Sequence, residues 1–379
     1  MTGGVVIDSL VEGLAPVTAF ADLVRSHAHE WDAAGGYPAH LLPQMRELGL
    51  FGLCGGDLRA YALALEEMGR AWLSLVPIVN AHSSAVWTFE HHGTPEQRDR
   101  WLPLLATGAR LSCLGLTEPG AGSDLQAITS SGHREGDDWI LSIEKTLITH
   151  AEHADHMLVL VRSEGEDAGG ARALSLFLID REQWVVERRL PKLGTLGVET
   201  CRISAHTITV GADRLIGAVP GRGFEQIMDA LEVGRLAVAA AAVGVARSAL
   251  WRAVERVRER AAFGAPLSEN ALVRHRIAGM TTRIAAAKGL VLLAAERKNG
   301  GGRHDAETAA AKIVAAEAAM HAATTAMELG GGMGYTEELD FARHLRDAAL
   351  FLAGEGANSV LEPLVGARTT AGEPDLAWI

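Results

Sequence analysis

The chain has 379 residues, 48% of them apolar, and a formal net charge of −12. That length exceeds what one compact core usually holds, so two or three structural units are expected. The negative balance disfavours nucleic acid or an anionic membrane surface as a general partner. Cys54, Cys113 and Cys201 are an odd number at wide spacing, which reads as reduced thiols in a cytoplasmic protein. Residues 1–14 carry Asp8 and Glu12 and no cationic stretch ahead of an apolar run, so a secretory signal is not supported.

From residue 15 to about 106 apolar residues recur at three- and four-residue spacing: Phe20, Leu23 and Val24, then Leu41, Leu42, Met45 and Leu48, then Tyr61, Leu65, Met68 and Trp72. Pro38 and Pro43 punctuate the pattern, and Gly93-Thr94-Pro95 followed by Glu96-Gln97 reads as the N-cap and first turn of a further helix. Between about 111 and 215 the reading changes to short β-like runs at 139–141, 157–161, 174–178 and 203–210, separated by turns such as Glu135-Gly136-Asp137-Asp138. The segment 164–171 reads as an exposed hairpin loop. From about 223 onward Ala, Leu, Arg and Glu dominate at helical spacing, with breaks near 264–266, 299–302 and 330–334. Within it the most apolar run, 236–246, is Ala-rich and too short to span a bilayer, and it reads as a helix packed closely on others. The expected fold class is α+β: an N-terminal α-helical domain over 1–110, a middle antiparallel β domain over 111–218 and a C-terminal four-helix-bundle-like domain over 219–379.

The most informative stretch is Leu116-Thr117-Glu118-Pro119-Gly120-Ala121-Gly122-Ser123-Asp124, directly after the apolar run 111–115. Two glycines let backbone approach a ligand, Pro119 removes a donor, and Ser123 and Asp124 can cap turns. Composition alone would also fit an ordinary turn. A second candidate is Glu355, an acid preceded by Leu350-Phe351-Leu352-Ala353 and flanked by Gly354 and Gly356. In an apolar setting its carboxyl is pushed upward, which suits proton abstraction beside a carbonyl. His150, His153 and His156 stand three apart beside Glu152 and Asp155, but at a strand-to-turn junction that spacing does not place ligands on one face, so no metal site is expected. His91-His92 reads as a helix-end surface pair, and Arg252 and Arg256 as a solvated face paired with Glu255 and Glu259.

The ordered string 116–124 closely resembles the signature at which acyl-CoA dehydrogenases hold flavin and thioester. Lys145-Thr146-Leu147-Ile148-Thr149 is similar to the family's Lys-x-Trp-Ile-Thr strand, Arg260-Ala261-Ala262-Phe263-Gly264 to its Arg-x-Gln-Phe-Gly turn, and Gly331-Gly332-Met333-Gly334-Tyr335 to its Gly-Gly-x-Gly-Tyr. Arg346-Asp347-Ala348 with Gly354-Glu355-Gly356 resembles the run that carries the family's catalytic glutamate. The five matches occur in the family's order and cover roughly residues 15 to 368.

The resemblance implies FAD-dependent α,β-dehydrogenation of a saturated acyl thioester, carried by coenzyme A or an acyl carrier protein. Glu355 would be the α-proton base and flavin N5 the hydride acceptor. Leu116, Thr117, Gly122, Ser123, Leu147 and Thr149 fall on positions around the flavin, with Leu147 where many relatives have tryptophan. Arg260, Phe263, Glu328, Gly331, Gly332, Ala357 and Ser359 fall on positions toward the dinucleotide; Glu328 replaces a usual glutamine, and Ala357-Asn358-Ser359 removes a usual hydroxyl. Ser123, Glu232, Arg235 and Gly356 fall near the substrate. The alternative position for the base, just before Arg235, is Gly234. A homodimer or homotetramer sharing its flavin sites is implied, as is an electron acceptor such as an electron-transfer flavoprotein. A flavin-dependent monooxygenase or oxidase on the same fold is the alternative activity.

Overall fold

A computed structural model describes residues 10, 12–163, 170–262 and 264–371. The hairpin-loop expectation at 164–169 and the Phe263 position lie outside the described residues. The chain opens with helices α1 (Ala15–Ala34), α2 (Leu42–Glu47), α3 (Leu58–Ala71), α4 (Val76–His92) and α5 (Pro95–Ala106). α5 begins as its sequence dictates: Thr94 Oγ1 accepts from Gln97 N at 3.2 Å while Gln97 Oε1 accepts from Thr94 N at 3.0 Å, a reciprocal cap behind a proline at the first turn.

Strands β1 (Ser112–Gly115), β2 (Ser131–Glu135), β3 (Asp138–Thr149), β4 (His156–Arg162), β5 (Leu174–Asp180), β6 (Val185–Arg189) and β7 (Thr200–Gly211) form one seven-stranded sheet. Its order is β1-β4-β2-β3-β7-β6, with β5 paired to β4. The sheet is mixed rather than wholly antiparallel: β4 runs parallel to β1 and, at Arg162, to β2. The β2–β3 hairpin lies between β1 and β4 in sequence and supplies the long crossover that parallel pairing requires. β4 and β5 are buried on both faces. Leu158 and Leu160 join the core shared with the helices, while Met157, Val159 and Val161 join the core inside the β domain. That double burial explains the unbroken apolar run at 157–161 in place of an alternating one.

The C-terminal unit contains α6 (Gly223–Glu259), a small hairpin β8 (Ala261–Ala262) and β9 (Ala265–Pro266), then α7 (Ala271–Asn299), α8 (Asp305–Gly330), α9 (Phe341–Ala353) and α10 (Asn358–Thr370). The apolar run 236–246 lies inside a 37-residue helix that is long and apolar enough by composition to cross a bilayer, as is α7. In α6, however, 89% of the most apolar window is buried in the fold, so its hydrophobicity serves the core. α6 crosses α3 backbone to backbone. A methyl on Gly244 would lie 2.0 Å from the Glu66 carbonyl oxygen, and one on Gly69 2.5 Å from that of Ala241. Gly244→Ala is therefore expected to cost about 1–3 kcal/mol through overpacking, read as a lower thermal midpoint than the parent protein.

Candidate active site

Lys145 and Glu118 build the loop at 116–124 from within. Lys145 is fully buried on β3; its Nζ donates to Glu118 Oε1 at 2.8 Å and to the Leu116 carbonyl at 3.0 Å. Glu118 also accepts from Thr129 N, Thr129 Oγ1 and Ser130 N at 2.6, 2.8 and 3.0 Å. Burial pushes the Glu118 carboxyl up, but the Lys145 charge and these hydrogen bonds outweigh it and hold it at about 2. Glu118 and Ala121 exchange backbone hydrogen bonds across Pro119-Gly120, and Asp124 caps the next turn by accepting from Gln126 N at 3.0 Å. With its polar needs met internally, the tip leaves Gly122 and Ser123 exposed.

The loop is stitched to β3 where Thr146 N donates to the Thr117 carbonyl at 2.8 Å. There β3 bulges: its register against β7 shifts between Lys145 and Ile148, and Leu147 takes φ +60°. A leucine in the left-handed region costs of order 1–3 kcal/mol, and this one is 60% exposed, so burial does not offset the strain. A strained, exposed apolar side chain beside Thr117 and Thr149 fits a flat aromatic ligand.

Glu355 lies between α9 and α10 in the short run Gly354–Ala357. Glu355 has φ +53° and Gly356 φ +93°, two left-handed residues in succession. α9 is docked by Asp347, whose Oδ1 accepts from Thr195 N at 2.8 Å, and by Arg346, which donates to Asp32 at 3.1 Å. Those two contacts tie the arm carrying Glu355 to the segment between β6 and β7 and to α1. Glu355 Oε1 accepts from Asn80 Nδ2 of α4 at 2.9 Å. Its Oε2 faces α6 at Gly234, where a methyl would come within 3.0 Å. Burial raises the carboxyl above the ordinary carboxylate range, opposed by the Arg235 charge, the Asn80 hydrogen bond and the Lys312 charge.

Arg235 is 6% exposed, and its Nε and Nη1 have no hydrogen-bond partner among the described residues. Glu232, one turn away, is not its partner: Glu232 Oε2 accepts from Lys298 Nζ at 2.7 Å and His304 N at 2.9 Å. One oxygen of that carboxylate is thus held by a buried anchor. His92, expected at the surface, is drawn into the same cluster through Asp229 at 2.9 Å.

Of the positions assigned to the dinucleotide, Arg260, Glu328, Gly331 and Gly332 lie at the C-terminal ends of α6 and α8, while Ala357 and Ser359 adjoin Glu355. Gly331 and Gly332 would have open space around an added methyl, Gly331 has φ +64°, and Arg260 is exposed without an ion pair among the described residues. Glu328 pairs with Arg276 of α7, so its charge is neutralised beside these glycines. Ala357 caps α10 through its carbonyl, accepting from Val360 N and Leu361 N, and Ser359 is exposed. His150 and His153 both stack on Tyr37, His153 also meeting Glu199 at 3.1 Å, while His156 turns to Asp180 at 2.9 Å. Among the described residues no group of three could hold a metal.

Asn80, Lys312 and Arg276 escaped the sequence reading. A lone Lys312 within the Ala-rich stretch 309–319 was the one available signal, since a charge on an apolar helix face requires a partner.

This three-part architecture with an acid between two bundle helices defines a flavoenzyme of the acyl-CoA dehydrogenase type. Family models for the acyl-CoA dehydrogenase N-terminal, middle and C-terminal domains match residues 15–109, 113–208 and 221–370, so the chain belongs to the acyl-CoA dehydrogenase family, whose cofactor is FAD. It is 34% identical over 359 residues to the probable acyl-CoA dehydrogenase YngJ of Bacillus subtilis, covering 91% of this chain and 93% of that protein. It is 30% identical over 369 residues to the caffeyl-CoA reductase-Etf complex subunit CarC of Acetobacterium woodii, covering 94% and 97%. Butyryl-CoA dehydrogenase from Megasphaera elsdenii superposes with a TM-score of 0.91 at 30% identity, covering 94% and 97%.

Proposed function

We propose that the protein interconverts a saturated acyl thioester and its α,β-unsaturated counterpart, with Glu355 exchanging the α-proton. The observation that carries this reading is the Glu355 carboxylate itself: raised by burial, held in a strained turn, with Oε2 directed over a helix position that has no side chain. FAD, when bound, supplies a two-electron acceptor for the hydrogen leaving the β-carbon as hydride. The Glu355 backbone N–H has no intrachain acceptor among the described residues, so it is free to donate to a thioester carbonyl and acidify the α-carbon. Thr117, Gly122, Ser123, Leu147 and Thr149 would hold the flavin ring, and Arg260, Gly331, Gly332 and Ser359 the dinucleotide.

Ser359 adjoins Glu355 in the same copy, whereas Arg260, Gly331 and Gly332 would serve the site of a second copy. Arg235 and Arg260 lie 25 positions apart along α6, roughly 38 Å of helix and longer than a dinucleotide, so a second copy would bring its Arg260 end to complete each site. Within that arrangement Glu328→Gln should free Arg276 for the diphosphate and slow FAD loss several-fold, read by dialysis against increasing salt.

Coenzyme A as the acyl carrier and an electron-transfer flavoprotein as redox partner are supported by the names of the relatives above. Because one of those relatives is a reductase, the opposite direction belongs to the same reading: a protonated Glu355 would return the α-proton. The test mixes holoenzyme anaerobically with saturated acyl-CoA and acyl-carrier-protein thioesters and follows flavin absorbance near its visible maximum. Bleaching supports the proposal. Rapid reoxidation by air with an oxygenated product would favour the monooxygenase or oxidase alternative.

A further inference from the structure

Resting on the reading of Glu355 as the base, we propose that Asn80 and Lys312 are positioning residues that hold Glu355 at two points and reserve Oε2 as the oxygen that exchanges the proton. The first point is the carboxylate. Glu355 Oε1 accepts from Asn80 Nδ2 at 2.9 Å, and because an ionised carboxylate can only accept, the amide must face it with its nitrogen. The Asn80 Oδ1 is then turned away from Glu355, buried and without a partner among the described residues, in a residue only 6% exposed. A buried acceptor left unsatisfied costs about as much as a lost hydrogen bond, and a fold tolerates it where the other end of the group has a task. Occupation of Oε1 leaves Oε2, over Gly234, as the unhindered proton acceptor.

The second point is the turn. Lys312 is fully buried on α8, and its Nζ donates to the Gly356 carbonyl at 2.7 Å and to Asn358 Oδ1 at 2.9 Å, with no carboxylate in salt-bridge range among the described residues. It therefore grips the residues immediately following Glu355 in a segment whose two left-handed residues would otherwise relax. Asn358, one of the departures from the family pattern, is thereby a second handle for the lysine. α4 belongs to the N-terminal helices and α8 to the C-terminal bundle, so the base is registered against both. The charged or titratable groups facing Glu355 are Arg235 on α6, Lys312 on α8 and Tyr61 on α3, with Asn80 as the neutral donor on α4.

Three variants of the holoenzyme test the clamp: Asn80→Leu, Lys312→Met and the milder Asn358→Ala, which leaves Lys312 its Gly356 contact and covers the case that Lys312→Met fails to fold. Each is scored by flavin absorbance, by anaerobic bleaching with a thioester that bleaches the parent, and by deuterium exchange at residues 354–358. Asn80→Leu should slow bleaching about 10- to 100-fold at unchanged half-saturation and move its pH profile upward, since Glu355 loses a donor to its ionised form. Asn358→Ala and Lys312→Met should raise exchange in the turn, the latter more. Parental bleaching and an unmoved pH profile in Asn80→Leu, or parental exchange in both turn variants, would overturn the clamp while leaving Glu355 as base. Failure of every thioester to bleach the parent would overturn the base assignment and the clamp with it.

Discussion

Glu355→Gln is expected to purify yellow and to be bleached by thioester at least about 100-fold more slowly than the parent, within the range a positioned base contributes. The amide keeps the size and the Asn80 contact of the original side chain, so fold and cofactor should survive while the proton acceptor is gone. The sign with pH follows from the raised carboxyl. Only the ionised form takes a proton, so in the parent the bleaching rate should rise as pH climbs through a value above the ordinary glutamate range and then level off. The variant should lack that limb. Stopped-flow absorbance across pH 5 to 9 checks both, and a variant bleaching at the parental rate would remove Glu355 from the role.

Lys145→Met is expected to have the largest effect on stability. Removing the lysine leaves Glu118 charged and buried, an error of about 3–5 kcal/mol for a pair of this kind. It also frees the loop 116–124, so cofactor should be lost more readily than from the parent. Urea unfolding and flavin release on gel filtration measure the two effects. The double variant Glu118→Gln/Lys145→Met should recover much of the loss, because no uncompensated charge remains. In the parent, Glu118 is held at about 2, below its unfolded value, so its contribution is present above pH 4.5 and is lost as pH falls toward 2. The double variant should not show that acid dependence. A Lys145→Met protein as stable as the parent at neutral pH would mean that water reaches Glu118.

Periodicity located the two helical regions and the four apolar strand runs, because each carries a buried stripe or face that a core imposes on neighbouring residues, but it singled out no helix over 76–92. β2 (Ser-Gly-His-Arg-Glu) and β6 (Val-Val-Glu-Arg-Arg) were invisible, since strands exposed on most positions need no apolar alternation. The motif residues were legible as positions. Their division of labour was not. Within Leu-Thr-Glu-Pro-Gly-Ala-Gly-Ser-Asp, Glu118 and Asp124 turned out to hold the loop, leaving the Gly122–Ser123 tip as its outward face.

Local order of residues thus determined the family, the helix–sheet–helix succession and the identity of the acid at 355, all properties encoded in neighbours along the chain. Tertiary structure alone decided which atoms meet that acid. Asn80 is 275 positions from Glu355 and Lys312 is 44 from Gly356, and neither lies in a motif. The same holds for Glu232, bound to Lys298, and Glu328, bound to Arg276. Hydrogen bonds and ion pairs act over about 3 Å, so a side chain's role is set by what folding brings within that distance, which spacing along the sequence does not record.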